Sequence, residues 1–218
     1  MPRSRAVRDP ERKRRILDAA AELIAEHGFL GVNLADIGTA AGIVGSGIYR
    51  HFDSKAAILV ELFDGVVDRL IADAEAALQT SDDPVATLGA LVHGQVRFTI
   101  EERRPCQVYL AEARNLPEGD LRRLRWKQRH YVDLWQDVLG TIRPELSRPQ
   151  RQVLVHAAIS GLHSVLRFHS PLSSDELAEF MESTARHTLG LDVLVAHAEQ
   201  VRPPSEADTA PGSSSAAS

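Results

Sequence analysis

The run Asn33 to Lys55, NLADIGTAAGIVGSGIYRHFDSK, constrains this chain more than any other stretch. Asn33 is placed to cap a helix, its side chain accepting from the backbone N–H near Asp36. Leu34, Ile37, Ala40 and Ala41 follow at helical spacing and predict a short helix with a small apolar face. Gly42 ends it, because the sharp turn needs a positive φ that glycine alone takes without strain. Ile43 is expected to plug the turn from inside. A second short helix, from about Gly45 to Phe52, turns Ile48 and Phe52 inward and leaves Ser46, Gly47, Arg50 and His51 mostly outward. Two short helices around a tight glycine turn are the pattern of a helix-turn-helix, whose second helix enters a DNA major groove.

The residues go beyond that generic pattern. Asp36-Ile37, Ala40-Ala41-Gly42-Ile43, Ile48-Tyr49-Arg50-His51-Phe52 and Ser54-Lys55 stand in order and without gaps. The run closely resembles the signature of the TetR family of transcriptional regulators. That resemblance implies that Asn33, Gly45, Ser46, Gly47, Tyr49, His51 and Lys55 face DNA, with Tyr49 and His51 donating mostly to phosphates. It also gives Lys55 a phosphate, helped by the N-terminal dipole of the helix it opens. Two positions depart from the family. Val44 stands where a serine-like cap is usual, and Gly45 where a longer polar side chain is common. Both thin the base-reading surface, so readout is expected to lean on Arg50, Ser46, the N-terminal arm and DNA shape. The alternative is that Tyr49 and His51 merely pack a small three-helix domain.

A net charge of −5 at first argues against a nucleic-acid partner, but its distribution reverses that reading. Residues 1–15 hold seven basic and two acidic side chains, a balance of +5, and residues 1–55 total +2. The remainder therefore carries −7. A basic end on an acidic body presents one face to DNA. The arginine run also reads as a solvated tail, and the two readings are compatible, since such arms often order only on phosphate or in a minor groove. With 44% hydrophobic residues there is material for a core. The single cysteine, Cys106, rules out an internal disulfide framework, fits a reducing cytosol, and reads as a packed small hydrophobe rather than a nucleophile. No stretch approaches a membrane span, and no apolar segment follows the basic N-terminus as a signal peptide requires. A cytoplasmic protein with no membrane partner is expected.

The periodicity is helical throughout, and the fold class read from it is all-α. Asp9 as cap, Pro10 at the first helical position and Glu11 in the first turn start a helix that Gly28 ends, with Ile16, Ala19, Ala20, Leu23 and Ile24 as its buried stripe. Phe29 and Leu30 are expected to lock it onto the following unit. A long helix from about Lys55 to Leu78 continues directly from the head. Asp83-Pro84 starts another, about 84–103, interrupted near Pro105 and followed by a short helix with Val108, Tyr109 and Leu110. A long helix spans about 118–142. The last two run from about Pro149 to Phe168 and from Ser174 to about Leu191, the second opened by the Ser173-x-x-Glu176 capping box. The organisation is a basic arm, 1–8; a helix-turn-helix DNA-binding domain, 9–53; an all-helical ligand-binding and dimerisation domain, 54–200; and a Pro-, Ser- and Ala-rich tail, 201–218, expected to be disordered.

Arg122, Arg123, Arg125, Lys127 and Arg129, beside Trp126, Tyr131 and Trp135, read as a solvated face with snorkelling stems. A second nucleic-acid surface or a site for an anionic ligand group are the other readings. The 149–168 helix is apolar nearly all round, with Ala157, Ala158, Ser160 and Gly161 allowing close approach, which predicts burial by its own domain and by a partner chain. In the TetR family the final two helices pair with their symmetry mates in a four-helix bundle, so a homodimer is implied. No catalytic constellation, phosphate loop, cofactor motif or metal-ligand spacing is present, and His156 and His163 share a face better suited to an interface or pocket than to a metal.

The family resemblance implies a hydrophobic cavity within the second domain. The candidates to line it are Phe63, Val67, Phe98, Tyr109, Trp126, His130, Trp135, His163 and Phe168, each of which could equally fill the core. Tyr109…Glu112…Arg114 followed by Trp126-Lys127…Trp135…Val138-Leu139 looks like the branch of the family that senses acyl-CoA thioesters or related lipids. The resulting expectation is a homodimeric, ligand-responsive regulator, a repressor released from a near-palindromic double-stranded operator by a small hydrophobic or acyl-CoA-like effector. The rival reading is an all-α ligand carrier or enzyme without a DNA role; an activator is not excluded.

Overall fold

In the computed structural model, which describes residues 10–43 and 45–191 (backbone only for Pro10, Gly45 and Ser46), every regular element is helical. The order is α1 (Pro10–Gly31), α2 (Leu34–Ala40), a 3-10 segment (Gly45–Arg50), α3 (Lys55–Thr80), α4 (Pro84–Glu101), α5 (Arg103–Glu112), a 3-10 turn (Ala113–Asn115), α6 (Glu118–Ile142), α7 (Arg148–Ser164), a 3-10 turn (Val165–Arg167) and α8 (Ser174–Leu189). The expectations for Arg3, Arg5, Arg8, Asp9, Val44 and the tail from Val201 lie outside the described residues.

Local chemistry explains most of these boundaries. Asn33 and Asp36 form a reciprocal capping box, each side chain taking the other's backbone N–H at 3.0 Å. Ser173 and Glu176 form a second such box at α8, Ser54 and Asp83 each accept one first-turn N–H of α3 and α4, and Pro84 occupies the first turn of α4, where no N–H is needed. Gly42 takes φ 70° in the turn after α2.

Three boundaries differ from the sequence-based ones. Gly28 does adopt a left-handed-type conformation, φ 73° and ψ 160°, but it breaks α1 rather than ending it, and helical hydrogen bonding resumes to Gly31. Phe29 packs against the core, whereas Leu30 is 87% exposed and locks nothing. The segment expected to be a helix to Phe52 is a 3-10 stretch ending at Arg50, as suits a sequence with Gly45 and Gly47, which pay the backbone entropy of helix formation without any side chain to pack. Finally, α4 stops at Glu101, two residues earlier than expected, and Pro105 lies in the first turn of α5 rather than in the break before it.

Two hydrophobic cores result. The first joins Ile16, Ile24, Ile37, Ile48 and Phe52 of the head to Ile58, Leu59 and Phe63 of α3 and to Cys106 and Val108 of α5. The second is centred on Trp135 and Leu139 of α6, with Leu88 and Val92 of α4, Val155 and Leu162 of α7, and Met181 and Leu189 of α8. Each fully buried Leu or Ile contributes about 1.5–3 kcal/mol by its removal from water. Leu70 and Ile71 of α3 pack against both cores, so α3 is the element common to the head and the bundle.

Candidate nucleic-acid interface and helical cavity

The head presents a polar edge made by the N-terminus of α2 and the 3-10 segment. Burial of Ile48 and Phe52 in the core sets that segment's rotation and leaves Tyr49, 56% exposed, and Arg50 outward. Asn33 is exposed beside them, and His51 is half-buried. The expectations for the side chains of Gly45 and Ser46 lie outside the described residues. Gly47 packs so closely under Ile43 that a Cβ there would stand 2.7 Å from Ile43 Cγ2.

Lys55 has partners within the head that the resemblance does not imply. Its ammonium donates to the carbonyls of Phe29 and, at 2.6 Å, Val32, and lies 4.2 Å from the centroid of the Phe29 ring. A cation at the first position of α3 faces the positive end of that helix's dipole. Reaching back to carbonyls at the end of α1 exchanges that repulsion for charge-assisted bonds, so Lys55 braces the head from within.

The basic run on α6 divides between two tasks. Arg123 pairs with Asp64 at 2.5 Å, and Lys127 with Asp64 at 2.8 Å and Asp68 at 2.6 Å, tying α6 to α3. Arg122 pairs with Glu118 along its own helix. Arg125 and Arg129 have no carboxylate partner among the described residues, and both line a cavity.

That cavity, of about 560 Å³, lies between α3, α4, α5, α6 and α7. Val66, Val67 and Leu70 of α3 and Ile159 of α7 supply apolar wall; Gln95, Tyr131, Gln136 and His163 supply polar wall. Arg125, Arg129, Gln152, His156 and Ser160 sit along its exposed side. Of the nine residues expected to line a pocket, Val67, Tyr109 and His163 do so. Phe63, Phe98 and Trp135 are core instead: Phe63 meets Tyr109 edge-on at 5.2 Å from behind the wall, Phe98 packs beneath Arg69, and Trp135 is fully buried against Tyr131. Trp126 is 61% exposed and stacks on His130 on the outer surface of α6, where His130 faces Glu75. Phe168 is exposed beyond the end of α7. Gln95 and Gln136 are the cavity residues that helical periodicity passed over; a glutamine inside an otherwise apolar stripe, as at Leu91-Val92…Gln95-Val96, is the signal that could have found them.

Four buried groups in the cavity wall, Cys106, Tyr109, Tyr131 and His163, are shifted toward their neutral forms. Burial, reinforced by the Glu102 carboxylate, pushes the Cys106 thiol up to about 12, leaving it an inert packed side chain. Burial also raises the Tyr109 and Tyr131 phenols. His163 is lowered from 6.5, chiefly by burial and then by the Arg167 guanidinium. A depressed folded-state value means that the unfolded chain binds the proton more readily, so this contribution to stability is complete above pH 6.5 and is lost as pH falls. His163→Gln should therefore flatten the fall in Tm between pH 7 and pH 5 relative to wild type, read by thermal melts in matched buffers. An unchanged slope would sink that assignment.

A second apolar surface runs along α7 and α8, where Phe168, Leu172 and Phe180 are exposed around a groove floored by Ala158, Leu162 and Met181, and Val153 is exposed further back on α7. Among the described residues no metal-binding cluster occurs, and no helix is long and apolar enough to cross a membrane.

Comparisons with known proteins agree with this anatomy. Residues 16–62 match the model of the bacterial regulatory proteins, tetR family, and residues 81–189 that of the tetracyclin repressor-like C-terminal domain. Over 129 residues the chain is 31% identical to the HTH-type transcriptional repressor KstR2 of Rhodococcus jostii, covering 59% of this chain and 63% of that relative. Among solved structures, a TetR-family regulator from Bordetella parapertussis superposes with a TM-score of 0.73 at 25% identity, covering 79% of this chain and 93% of the other. AibR, solved in complex with isovaleryl coenzyme A and operator DNA, superposes with a TM-score of 0.68 at 21% identity over 79% and 97% of the two chains, a likeness of fold.

Proposed function

Since the chain belongs to the tetR family of bacterial regulatory proteins, and is a DNA-binding transcriptional regulator and not an enzyme by that membership, we propose that it acts as a ligand-responsive repressor. In this reading it is a cytoplasmic homodimer. The exposed Val153, Phe168 and Phe180 surface of α7 and α8 is covered by the same surface of a second copy, as an isologous interface requires. The two heads then meet successive major grooves of a near-palindromic operator, with Asn33, Gly45, Ser46, Gly47, Tyr49, Arg50 and His51 toward the duplex.

The observation that carries the reading is the double duty of α3. It leaves the head at Lys55, and about three turns further on Val66, Val67 and Leu70 form the cavity wall. An effector that fits one setting of α3 better than another biases the position of the head. Moving an operator-bound population from 99:1 to 1:99 needs a differential of about 5.5 kcal/mol. The unpaired Arg125 and Arg129 beside an apolar wall favour an amphipathic, anionic effector, of which an acyl-CoA-like thioester is one form. AibR, of the same fold, was solved with such a thioester and with DNA.

The test is a salt titration of the protein on the DNA upstream of its own gene beside random duplex of equal length. Binding that is tight to the upstream DNA, weak to random duplex and steeply salt-dependent is expected, because phosphate contacts release counterions. No salt-dependent binding to any duplex would sink the reading and favour an all-α ligand carrier.

A further inference from the structure

At the inner wall of the cavity, Gln95 is 2% exposed and its amide is held in one orientation. The Tyr131 hydroxyl donates to its Oε1 at 2.8 Å, and its Nε2 donates to Thr99 Oγ1 at 3.1 Å. The Thr99 hydroxyl is itself committed to the Gln95 carbonyl at 2.8 Å. Turning the amide over would set its oxygen against the Thr99 oxygen, whose proton is already committed, so the group it shows to His163 is an N–H, with Nε2 of Gln95 3.5 Å from Nε2 of His163. An imidazole nitrogen facing a donor is the acceptor, which places the ring proton on Nδ1. Nδ1 has no hydrogen-bond partner among the described residues, although the ring lines the cavity.

Gln136, in the same cavity wall, is 5% exposed and repeats the situation with the opposite polarity. Its Nε2 donates to Asp133 Oδ1 at 3.3 Å, and Arg148 holds Asp133, also at 3.3 Å. A carboxylate accepts only, so the amide orientation follows, and Oε1 is left buried without a partner. A plain hydrocarbon in this cavity would leave the Nδ1–H of His163 unmet. Each unmade bond in a desolvated site disfavours such a ligand by about tenfold.

We propose that the enclosed portion of the ligand is oxygenated, carrying a hydroxyl or carbonyl group that accepts the Nδ1–H of His163, so that this cavity selects oxygenated amphipathic acids over plain fatty chains. The inference rests on the reading that the cavity is the effector site.

The probes are decanoate and a set of monohydroxydecanoates with the hydroxyl moved along the chain, titrated calorimetrically into the full chain. At least one hydroxy isomer is expected to bind about tenfold tighter than decanoate. His163→Phe should abolish that margin, and His163→Gln, which retains an N–H donor, should keep most of it. Nitrogen NMR of the His163 ring in the wild-type protein gives a readout that no variant can spoil: the Nδ1 resonance should move with the preferred isomer and stay with decanoate. Decanoate binding as tightly as every isomer, a margin that persists in folded His163→Phe, or no isomer binding below about 1 mM would each overturn the proposal. Operator release is scored separately by gel shift. Selective binding without release keeps the subsite and defeats the inducer reading, whereas release by decanoate and hydroxydecanoates alike keeps the inducer reading and defeats the subsite.

Discussion

Arg50→Ala should cost operator binding about 1–3 kcal/mol and leave binding to random duplex nearly unchanged. The expectation follows from what the 3-10 segment has to offer. Gly45 and Gly47 carry no side chain, Ile48 is committed to the core, and Tyr49 and His51 are suited to phosphate oxygens. Arg50 is the one long side chain on this segment that is exposed and able to make a bidentate contact with a guanine edge. Tyr49→Ala should behave differently, weakening operator and random duplex together by about 1 kcal/mol, because a phosphate contact fixes position without reading sequence. Fluorescence anisotropy on the two duplexes separates these outcomes in one experiment. If both variants bound the operator as wild type does, the head would not dock through this segment.

How far the fold could be read in advance depends on how local each determinant is. The Asn33–Asp36 and Ser173–Glu176 boxes, the Asp83-Pro84 start and the 118–142 helix rest on groups within one turn of each other, and the chain states them directly. The apolar stripe of α3 was equally plain, from Ile58 to Val67. What could not be read is which neighbour each apolar or charged face meets. Trp135 and Trp126 are nine residues apart on one helix, yet the first is fully buried and the second lies on the outside stacked on His130. Their difference is set by where α3, α4 and α7 pack against α6. The basic run on α6 shows the same limit. Arg123 and Lys127 are absorbed by Asp64 and Asp68, sixty or so residues earlier, and only Arg125 and Arg129 remain for the cavity. The placement of a side chain was thus legible where helical rotation decides it, outward at Tyr49 and Arg50 and in the cavity wall at Val67, Tyr109 and His163. It was illegible at Gln95 and Gln136, whose roles depend on Tyr131, Thr99 and Asp133 reaching them in space.

Lys55 is the residue at which resemblance and structure part, and the difference can be measured. Lys55→Met keeps the stem and removes the ammonium, leaving the carbonyls of Phe29 and Val32 without their donor. Loss of two charge-assisted bonds at a half-buried position should destabilise the protein by about 2 kcal/mol, a fall in Tm of several degrees. The strut matters because Glu112 of α5 takes the neighbouring Phe29 N–H at 3.2 Å, so the same backbone turn is held from the head side by Lys55 and from the cavity side by the helix that carries Tyr109. If Lys55 instead served a phosphate, its removal would leave Tm unchanged and lower the salt slope of DNA binding by about one. The structure predicts the reverse pattern: a lower Tm with an unaltered salt slope. Because thermal melting and salt dependence report on independent quantities, one variant decides between a brace and a phosphate contact, and a lowered slope at constant Tm would return Lys55 to the DNA face.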